Sequence, residues 1–446
     1  MFPTILFPAF MASSRCFSAP TFRRFACLLA ASVLTLGRRT VSNVLRTAGA
    51  LAQGHASTYH RVFSQRCWSL WPVFRVLAGF ILEHWVPTGP VRVVIDDTVD
   101  GHKGKKVWGK ACHRDPVRST HSYIAYRWGL KWVVLSVLVD FPWASRPWAL
   151  PVLVALYHSE EWNQEHGLQH QTPAMLARQL LEVMMSWFPK RLFRLTVDGT
   201  YSTHDLASFA AGHAPRSVLV GHFYPDANLY EPPPEPTKGK IGRPRVKGQK
   251  LPAPQDVVAI TKCRPTRVSW YGGQQRRVEI VSSTGFWYRA GHGLVEVRWV
   301  FVHDLQGTHR DEYFFSTDPT MTPEQIVSAY TGRWSIEVTF QEMRAHLGLE
   351  TTRGWSSKTV QRHAPSLFGL YSLVSLCYAG LSKRKRGSIR VSWAGKKEMA
   401  FSDAISTVRR HLWQEWVFAD TGHAAAFAKL PRSFQTLLLS ALAPAG

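Results

Sequence analysis

The side chains best suited to chemistry are acids at the ends of two apolar runs and one acid further along the chain. Asp96 and Asp97 close the run RVVI, Asp198 closes LFRLTV, and Glu337 lies in a region of helical spacing. Carboxylates at the ends of neighbouring strands, with one more on a facing helix, can hold two divalent metal ions for phosphoryl transfer. Mg²⁺, or Mn²⁺ in its place, prefers such oxygen ligands. The spacing alone also allows a simpler interpretation, in which these acids form turns after strands.

A second cluster lies on the predicted helix that contains Glu337. Tyr330, Arg333, Glu337 and Arg344 follow one another at helical offsets, which brings all four roughly to one face. Arginine binds phosphate in a bidentate manner, and a glutamate among arginines is typical of a phosphate and metal site. The alternative is an ordinary solvent-exposed stripe with an ion pair between Arg333 and Glu337.

Apolar runs of strand and helix length predict the elements that carry these residues. Runs rich in Val and Ile that end in an acid are typical of buried strands, and apolar residues at helical spacing after Thr-Pro are typical of helices. The predicted strands lie at 92–98, 192–199 and 217–223, with a possible hairpin over 121–141, and the predicted helices at 172–188 and 204–212. This alternation predicts a mixed α/β fold.

The α/β pattern breaks after residue 223. Proline and charge predict an exposed arm over 231–250, and runs rich in Val and aromatic residues predict a β-rich insertion over 267–315. A helix with a Thr-Pro-Glu start is predicted from Thr322 to Gly348, and the chain after about residue 360 is predicted to be helical.

The basic part of the arm, KGKIGRPRVKGQK, has six Lys or Arg among its thirteen residues, 238–250. Its GRPR segment resembles the core of an AT-hook, whose arginines enter the narrow minor groove of A·T-rich DNA. The alternative is a flexible linker attracted to phosphates without sequence preference. Both interpretations predict that Arg243, Arg245 and Lys247 contact nucleic acid.

The charge of the whole chain also indicates a polyanionic partner. Its 446 residues include 54 Lys+Arg and 30 Asp+Glu, a formal net charge of +24. Residues 1–82 contain no acid but nine Arg, among them Arg38, Arg39 and Arg46 beside two helix-length segments. A helical domain that contacts DNA is the favoured interpretation. A targeting segment and a helical packing domain with a basic surface are the alternatives.

Other kinds of site are not expected. No apolar run reaches the ~18 to 20 residues of a membrane span, so no membrane partner is expected. The six cysteines are scattered without metal-ligand spacing, which favours a reducing cytoplasm. Residues 104–111 nearly match a phosphate-binding loop, but Ala111 replaces the required hydroxyl residue, so no nucleotide site is expected.

These residues together carry a resemblance to a known family. The segment AYTGRWSIEVTFQEMR is similar to the Tyr-x2-Arg-x3-Glu-x6-Lys signature of insertion-sequence DDE transposases of the IS-four and Tn-five kind. DDT at 96–98 resembles the first acidic motif of that family, and TVDGTYS at 196–202 resembles the second. The sequence departs from the signature at Arg344, where the family has lysine.

The resemblance implies an RNase H-like catalytic core whose acids bind Mg²⁺, with Mn²⁺ as a substitute. It assigns Asp97, Asp198 and Glu337 as the catalytic and metal-binding acids. Asp97 is taken over Asp96 because the acid of the family directly precedes threonine, although strand alternation by itself does not decide between them. The resemblance further implies that Tyr330, Arg333 and Arg344 hold DNA phosphates.

The expected protein is thus a transposase that cleaves transposon ends and transfers the cut strands into target DNA. Double-stranded DNA, a second copy of the chain in a synaptic dimer, and a place in the bacterial cytoplasm at the nucleoid follow from the resemblance. The alternatives are a nuclease or resolvase without strand transfer, and a catalytically silent DNA-binding regulator. The expected division is a basic helical DNA-binding domain (1–88), the first part of the core (89–223), the arm and β insertion (224–320), the closing helix of the core (321–360) and a helical C-terminal region (361–446).

Overall fold

The computed structural model describes residues 7–115, 118–120, 122–235, 245–387 and 398–444. Within these residues, strands from both halves of the chain form one eleven-stranded sheet. Helices pack on the sheet, and helical regions lie before and after it in the chain. The predicted mixed α/β fold with helical terminal regions is therefore confirmed. In the described part of the chain, no helix has the length and apolar character needed to cross a membrane.

A helical region precedes the sheet in the chain. Its helices are α1 (Phe7–Ser14), α2 (Ala19–Leu34), α3 (Val41–Ala48), α4 (Ala56–Ser64) and α5 (Leu70–Trp85). The start of α3 is fixed locally, because the Thr40 side chain accepts a hydrogen bond from the backbone N–H of Asn43. Most of α2 is buried, as expected for an apolar helix inside a packed region.

The centre of the fold is the first part of the sheet. Its strands are β1 (Val91–Gly101), β2 (Ala111–Arg114), β3 (Tyr126–Val139), β4 (Trp148–Tyr157), β5 (Phe193–Val197) and β6 (Ser217–His222). β3 pairs antiparallel with β1, β2 and β4, while β5 pairs parallel with both β1 and β6. This arrangement agrees with the RNase H-like core that the resemblance implies, and it sets the carboxyl end of β5 beside the middle of β1.

Two strands differ from the sequence prediction. The hairpin predicted over 121–141 is wrong, because β3 continues without a turn through Gly129. A Cβ at Gly129 would lie 2.4 Å from the Asp100 carbonyl oxygen, so this glycine permits close approach of β1. The sequence also does not predict β4, since Pro151 is unfavourable within a strand. The register of β4 against β3 shifts at this proline.

Three helices lie between the strands of the core: α6 (Glu160–Glu165), α7 (Pro173–Trp187) and α8 (His204–Gly212). The predicted start of α7 is confirmed. The Thr172 side chain accepts a hydrogen bond from the Met175 N–H, and Pro173 occupies the first helical position. The apolar face of α7 packs on β3 and β4 and covers one face of the sheet.

The predicted β-rich segment continues the core sheet. Its elements are β7 (Leu229–Tyr230), α9 (Pro254–Ile260), β8 (Arg264–Ser269), β9 (Gln275–Arg289), β10 (Gly293–Asp304) and β11 (Glu312–Ser316). β11 pairs antiparallel with β6, and β9, β10 and β11 form consecutive antiparallel pairs. The insertion is therefore attached to the edge of the core through its last strand.

The last part of the described chain is helical, as predicted. Its helices are α10 (Pro323–Gly332), α11 (Ser335–His346), α12 (Ser357–Gly380), α13 (Lys383–Gly387), α14 (Phe401–Leu412), α15 (Phe418–Asp420), α16 (Ala424–Lys429) and α17 (Arg432–Leu442). Thr322 and Gln325 form a capping box at the start of α10. The single helix predicted from Thr322 to Gly348 is instead two helices, which meet at Arg333 and Trp334.

A buried arginine in α12 ties the first helices to the rest of the fold. The guanidinium of Arg362 donates hydrogen bonds to the carbonyl oxygens of Phe63, Arg66 and Trp68 at 3.2, 2.8 and 2.7 Å. These carbonyls lie in the last turn of α4 and in the loop that follows it, and a guanidinium can satisfy all three because it carries five N–H donors. Part of the basic character of the chain therefore serves packing.

The arginines near α3 divide between packing and solvent. Arg39 is buried and donates to the carbonyl oxygens of Ser32 and His346 at 3.0 and 2.6 Å. It therefore joins the end of α2 to the end of α11 and is not placed to contact DNA. Arg38 and Arg46 are exposed and stay candidates for that contact.

We predict that Arg362→Met destabilises the protein, since it leaves three carbonyl oxygens without their donor. The expected loss is roughly 3 kcal/mol of unfolding free energy, measured as a lower urea midpoint with an unchanged slope. The control is Lys358→Met on the exposed surface of the same helix. Equal midpoints for the two variants would contradict the structural role of Arg362.

Candidate active site

The parallel pairing of β1 and β5 brings the first two acidic motifs together. The two strands pair up to Ile95 and Val197, so Asp96 and Asp198 follow at the same level. Asp198 comes directly after the end of β5, but β1 continues to Gly101, so the prediction that Asp96 and Asp97 close their strand is wrong. Asp96, Asp97, Asp198 and Glu337 all line one cleft of about 1000 Å³. The structure thus assembles the acids that the sequence predicts, although they come from distant parts of the chain.

Asp96 faces α11 through a buried arginine. A guanidinium nitrogen (Nη1) of Arg333 lies 2.8 Å from the Asp96 Oδ2. The other terminal nitrogen (Nη2) of Arg333 lies 3.0 Å from the Glu337 Oε1, so this one side chain bridges the two acids. The Arg333–Glu337 pair predicted from helical spacing is present, but it is mostly buried and does not form a solvent-exposed stripe.

Asp97 is engaged by a different set of groups. Its Oδ2 accepts a hydrogen bond from the Tyr201 hydroxyl at 2.8 Å and lies 3.1 Å from the Lys131 ammonium nitrogen. Successive side chains of a strand point to opposite faces of the sheet, which explains why Asp96 and Asp97 have different partners. The alternation therefore directs Asp96 towards Glu337 and Asp97 towards Tyr201 and Lys131.

Burial dominates the electrostatics of the acids. The pKa of Asp96 is raised to about 8, chiefly by burial and also by the neighbouring Asp198 and Asp97, against the opposing effect of Arg333. Burial also raises the pKa of Glu337, again against Arg333. Burial by itself would lower the pKa of Arg333, but Asp96 and Glu337 raise it above its usual range. The cluster therefore favours a bound cation or a bound proton.

The junction of α10 and α11 places Arg333 between these acids. Arg333 is 8% exposed, whereas the next residue, Trp334, has 44% of its surface exposed beside the cleft. Tyr330 is buried, and its ring stacks on Phe314 at a centroid distance of 4.1 Å. Burial raises the pKa of Tyr330 to about 12, which keeps the hydroxyl protonated. Tyr330, which the resemblance assigns to DNA phosphate, thus packs against Phe314 in the structure.

Cationic side chains line the cleft beside the acids. Arg344 donates to the Thr98 hydroxyl and, at 2.9 Å, to Glu350, which also accepts a hydrogen bond from Arg127. Arg118 is a further exposed lining residue. Arg127 and Glu350 were not predictable from the sequence, since pairs separated by more than two hundred residues leave no local spacing pattern.

Arg245 and Lys247 of the arm are not among the residues that line this cleft. Lys247 donates to the Tyr230 hydroxyl at 3.0 Å, and its ammonium nitrogen lies 4.1 Å from the ring centroids of Tyr230 and Tyr288. Arg245 is exposed. The prediction for Arg243 falls outside the described residues. The interpretation of the arm as a DNA contact therefore stays a prediction.

The carboxylate oxygens of the acids are suitable ligands for a divalent metal ion, but in the structure the guanidinium of Arg333 lies between two of them. In the part of the chain that the structure describes, no group of three or more His, Cys, Asp or Glu side chains is arranged to hold a metal ion. Arg333 lies between Asp96 and Glu337 and neutralises them directly. The donor set of carboxylate oxygens fits Mg²⁺ or Mn²⁺, provided that Arg333 leaves at least one of its two partners.

Comparisons with known proteins show the family to which the chain belongs. Residues 14–277 match the family model described as DDE superfamily endonuclease, which spans Asp96 and Asp198. Residues 292–373 match the model of the archaeal putative transposase ISC1217, which spans Glu337. No curated protein matches the chain. A solved piggyBac transposase synaptic complex with hairpin DNA is similar at a TM-score of 0.43 and 10% identity, over 95% of this chain and 76% of that one.

The first family match covers more than half of the chain, so the protein belongs to the DDE superfamily endonucleases. The second match, over the segment with Arg333 and Glu337, is to a transposase family model. The resemblance that the motifs carry is therefore confirmed, and the chain is a DDE-type transposase or endonuclease.

The raised pKa of Asp96 predicts a pH-dependent stability. Because the folded-state pKa, about 8, lies above the ordinary value of 3.8, the contribution of this group is fully present below pH 4 and is lost as the pH rises towards 8. Asp96→Asn removes this titration. We expect the urea midpoint of the wild type to fall more between pH 5 and pH 8 than that of Asp96→Asn, measured without divalent metal. Parallel pH profiles would contradict the burial of a titrating Asp96.

Proposed function

We propose that this chain is a transposase that cleaves DNA at the ends of a mobile element and joins the cut strands to target DNA. One observation carries the proposal: acids from β1, from the end of β5 and from α11 line a single cleft that also contains Arg118, Arg127 and Arg344. Membership of the endonuclease family supports the cleavage step. Strand transfer is the finer part of the proposal and rests on the resemblance of the motifs.

Asp96, Asp198 and Glu337 are the proposed catalytic acids, which bind the metal ion. The contacts of Arg333 with both Asp96 and Glu337 support this choice, as does the parallel pairing that sets Asp96 beside Asp198. The motif comparison alone favours Asp97 instead. However, the Asp97 carboxylate already holds the Tyr201 hydroxyl and the Lys131 ammonium, which is typical of a positioning residue.

The oxygens of Asp96, Asp198 and Glu337 are the proposed ligands of Mg²⁺, or of Mn²⁺ in its place. A divalent ion bound there supplies an activated water or hydroxyl and neutralises charge on the leaving oxygen. Arg333 is the counter-ion between Asp96 and Glu337, and an ion held by both acids would require its guanidinium to move from at least one of them. In its displaced position Arg333 can donate to a DNA phosphate.

The basic side chains hold the DNA strand. Arg344, anchored by Thr98 and Glu350, and the neighbouring Arg127 present donors to the cleft next to the acids. Arg344 replaces the lysine of the family signature, and a guanidinium can bind one phosphate through two parallel hydrogen bonds. Tyr330 acts indirectly, because its packing on Phe314 fixes the turn of helix before Arg333.

The proposed partners are double-stranded DNA and a second copy of the chain in a synaptic complex. The net charge of +24 supports a polyanionic partner. The exposed Arg38, Arg46 and Arg245 are proposed to contact the DNA backbone, together with Lys247 and Arg243 of the arm. With this substrate, the place of action is the nucleoid in the cytoplasm.

The proposed acids predict an order of effects among variants. Glu337→Gln and Asp96→Asn should each lower Mg²⁺-dependent cleavage of labelled transposon ends by roughly 10² to 10³-fold or more. Asp97→Asn should lower it less, because Asp97 acts through Tyr201 and Lys131. Glu342→Gln on the same helix, where Glu342 pairs with His346, is the matched control and should leave cleavage unchanged.

The same assay separates the competing functions. Joined products from the wild type indicate a transposase, while cleavage without joining indicates a nuclease or resolvase. DNA binding without chemistry in the folded wild type indicates a regulator and would overturn the proposed mechanism. If Asp97→Asn loses cleavage while Asp96→Asn keeps full activity, Asp97 is the first catalytic acid, as the motif comparison implies.

A further inference from the structure

Two arginines lie side by side on the central strands, where like charges repel. Arg92 of β1 and Arg194 of β5 are direct partners in the parallel register. Like charges on neighbouring strand positions destabilise a sheet unless a counter-charge lies between them. Both residues line a pocket of about 250 Å³, together with Arg146 from the loop before β4. The pocket therefore concentrates three guanidinium groups.

The acids near this pocket only partly balance the arginines. Arg92 pairs with Asp140, which also lines the pocket and is largely exposed. Within the described residues, the guanidinium groups of Arg146 and Arg194 make no hydrogen bond or close ion pair. Burial lowers the pKa of Arg194, and Arg92 adds to the lowering, while Asp318 opposes it. Two of the three guanidinium groups in the pocket therefore have no carboxylate bound directly to them among the described residues.

A further donor and a tight wall complete the pocket. Trp270 lines it and is 7% exposed, and its indole nitrogen has no hydrogen-bond partner among the described residues. The wall is formed where Gly273 approaches the loop before β4: a Cβ there would lie 2.2 Å from the Ser145 carbonyl oxygen. The Ser145 hydroxyl also donates to the Gly272 carbonyl at 3.2 Å. The pocket is therefore bounded by two loops that contact each other.

The pocket adjoins the cleft that holds the acids. Trp334 lines both spaces. Arg92 precedes Asp96 by four residues on the same strand, which places them roughly 13 Å apart at 3.3 Å per residue. That span equals about four nucleotides of a DNA strand along its axis. A strand in the cleft can therefore reach the pocket.

We propose that this pocket binds a phosphate group of the DNA strand whose neighbouring phosphodiester reacts in the cleft, with Arg92, Arg146 and Arg194 as its ligands. Guanidinium groups bind phosphate oxygens through charge-assisted hydrogen bonds, and a phosphate between Arg92 and Arg194 removes their mutual repulsion. This inference rests on the proposed function, because it takes the phosphate from DNA. A free phosphate or a nucleotide offers the same chemistry, and the experiment separates these sources.

The first arm of the test uses inorganic phosphate and the full chain. Sodium phosphate, compared with sodium chloride at equal ionic strength, should raise the melting temperature of the wild type by stabilising the folded state. Arg194→Gln should abolish the increase, and Arg194→Lys should retain part of it. Arg178→Gln removes an exposed arginine that pairs with Glu182, so this control should behave as the wild type does. An equal increase in the wild type and Arg194→Gln would overturn the site.

The second arm measures binding of transposon-end DNA in EDTA as the salt concentration varies. Arg194→Gln should weaken binding roughly tenfold and lower the salt slope by about one, as expected for one lost phosphate contact. A single neutral methylphosphonate, placed within about four nucleotides of the cleavage point, should produce the same loss in the wild type and none in Arg194→Gln. If Arg194→Gln loses the response to inorganic phosphate but binds DNA as the wild type does, the phosphate in the pocket does not come from DNA. The pocket is then assigned to a free phosphate compound.

The two proposals fail in different ways. Binding in EDTA needs no catalysis, so a protein that never cleaves DNA can still show the salt and methylphosphonate effects. In that case the proposed function fails and the pocket stands. Cleavage by the wild type with none of the Arg194→Gln effects leaves the proposed function intact and overturns the pocket.

Discussion

The site depends on the placement of one buried guanidinium between two carboxylates. Buried charges are costly unless they are paired, and removing one partner of such a pair typically costs about 3 to 5 kcal/mol. Arg333 meets this requirement for Asp96 and Glu337 at once, at 2.8 and 3.0 Å. The junction of α10 and α11, the parallel pairing of β1 with β5, and the packing of Tyr330 on Phe314 all serve to hold that arrangement.

The large positive charge of the chain is used in three different ways. Some arginines are buried and stabilise the packing: Arg362 and Arg39 donate hydrogen bonds to backbone carbonyls of distant segments. Arg333 is a counter-ion within the acidic site. Others, such as Arg344 and Arg194, line open spaces where donors face solvent or lack partners. Net charge therefore indicates the class of partner, while only burial and hydrogen bonding separate the arginines that pack from those available to DNA.

Local signals in the sequence predicted much of the fold. The Thr172-Pro173 start of α7 and the helix α8 follow from capping and apolar spacing, which act within a few residues. Interactions between distant strands were not predictable: Gly129 resembled a turn residue but permits close approach of β1, and Pro151 obscured β4. In the site, the motifs indicated the four acids. The different partners of Asp96 and Asp97 became visible only with Arg333, Tyr201 and Lys131 in place.

The central claim is that Asp96, Asp198 and Glu337 form the acidic centre of a DNA-cleaving site. The most direct test is a crystal structure of the protein with Mn²⁺ and a DNA end, with the metal located by its anomalous scattering. The account predicts Mn²⁺ within about 2.2 Å of oxygens of these three acids, with Arg333 displaced from at least one of them. Mn²⁺ bound by Asp97 with Arg333 still bridging Asp96 and Glu337, or no Mn²⁺ in the cleft, would contradict it.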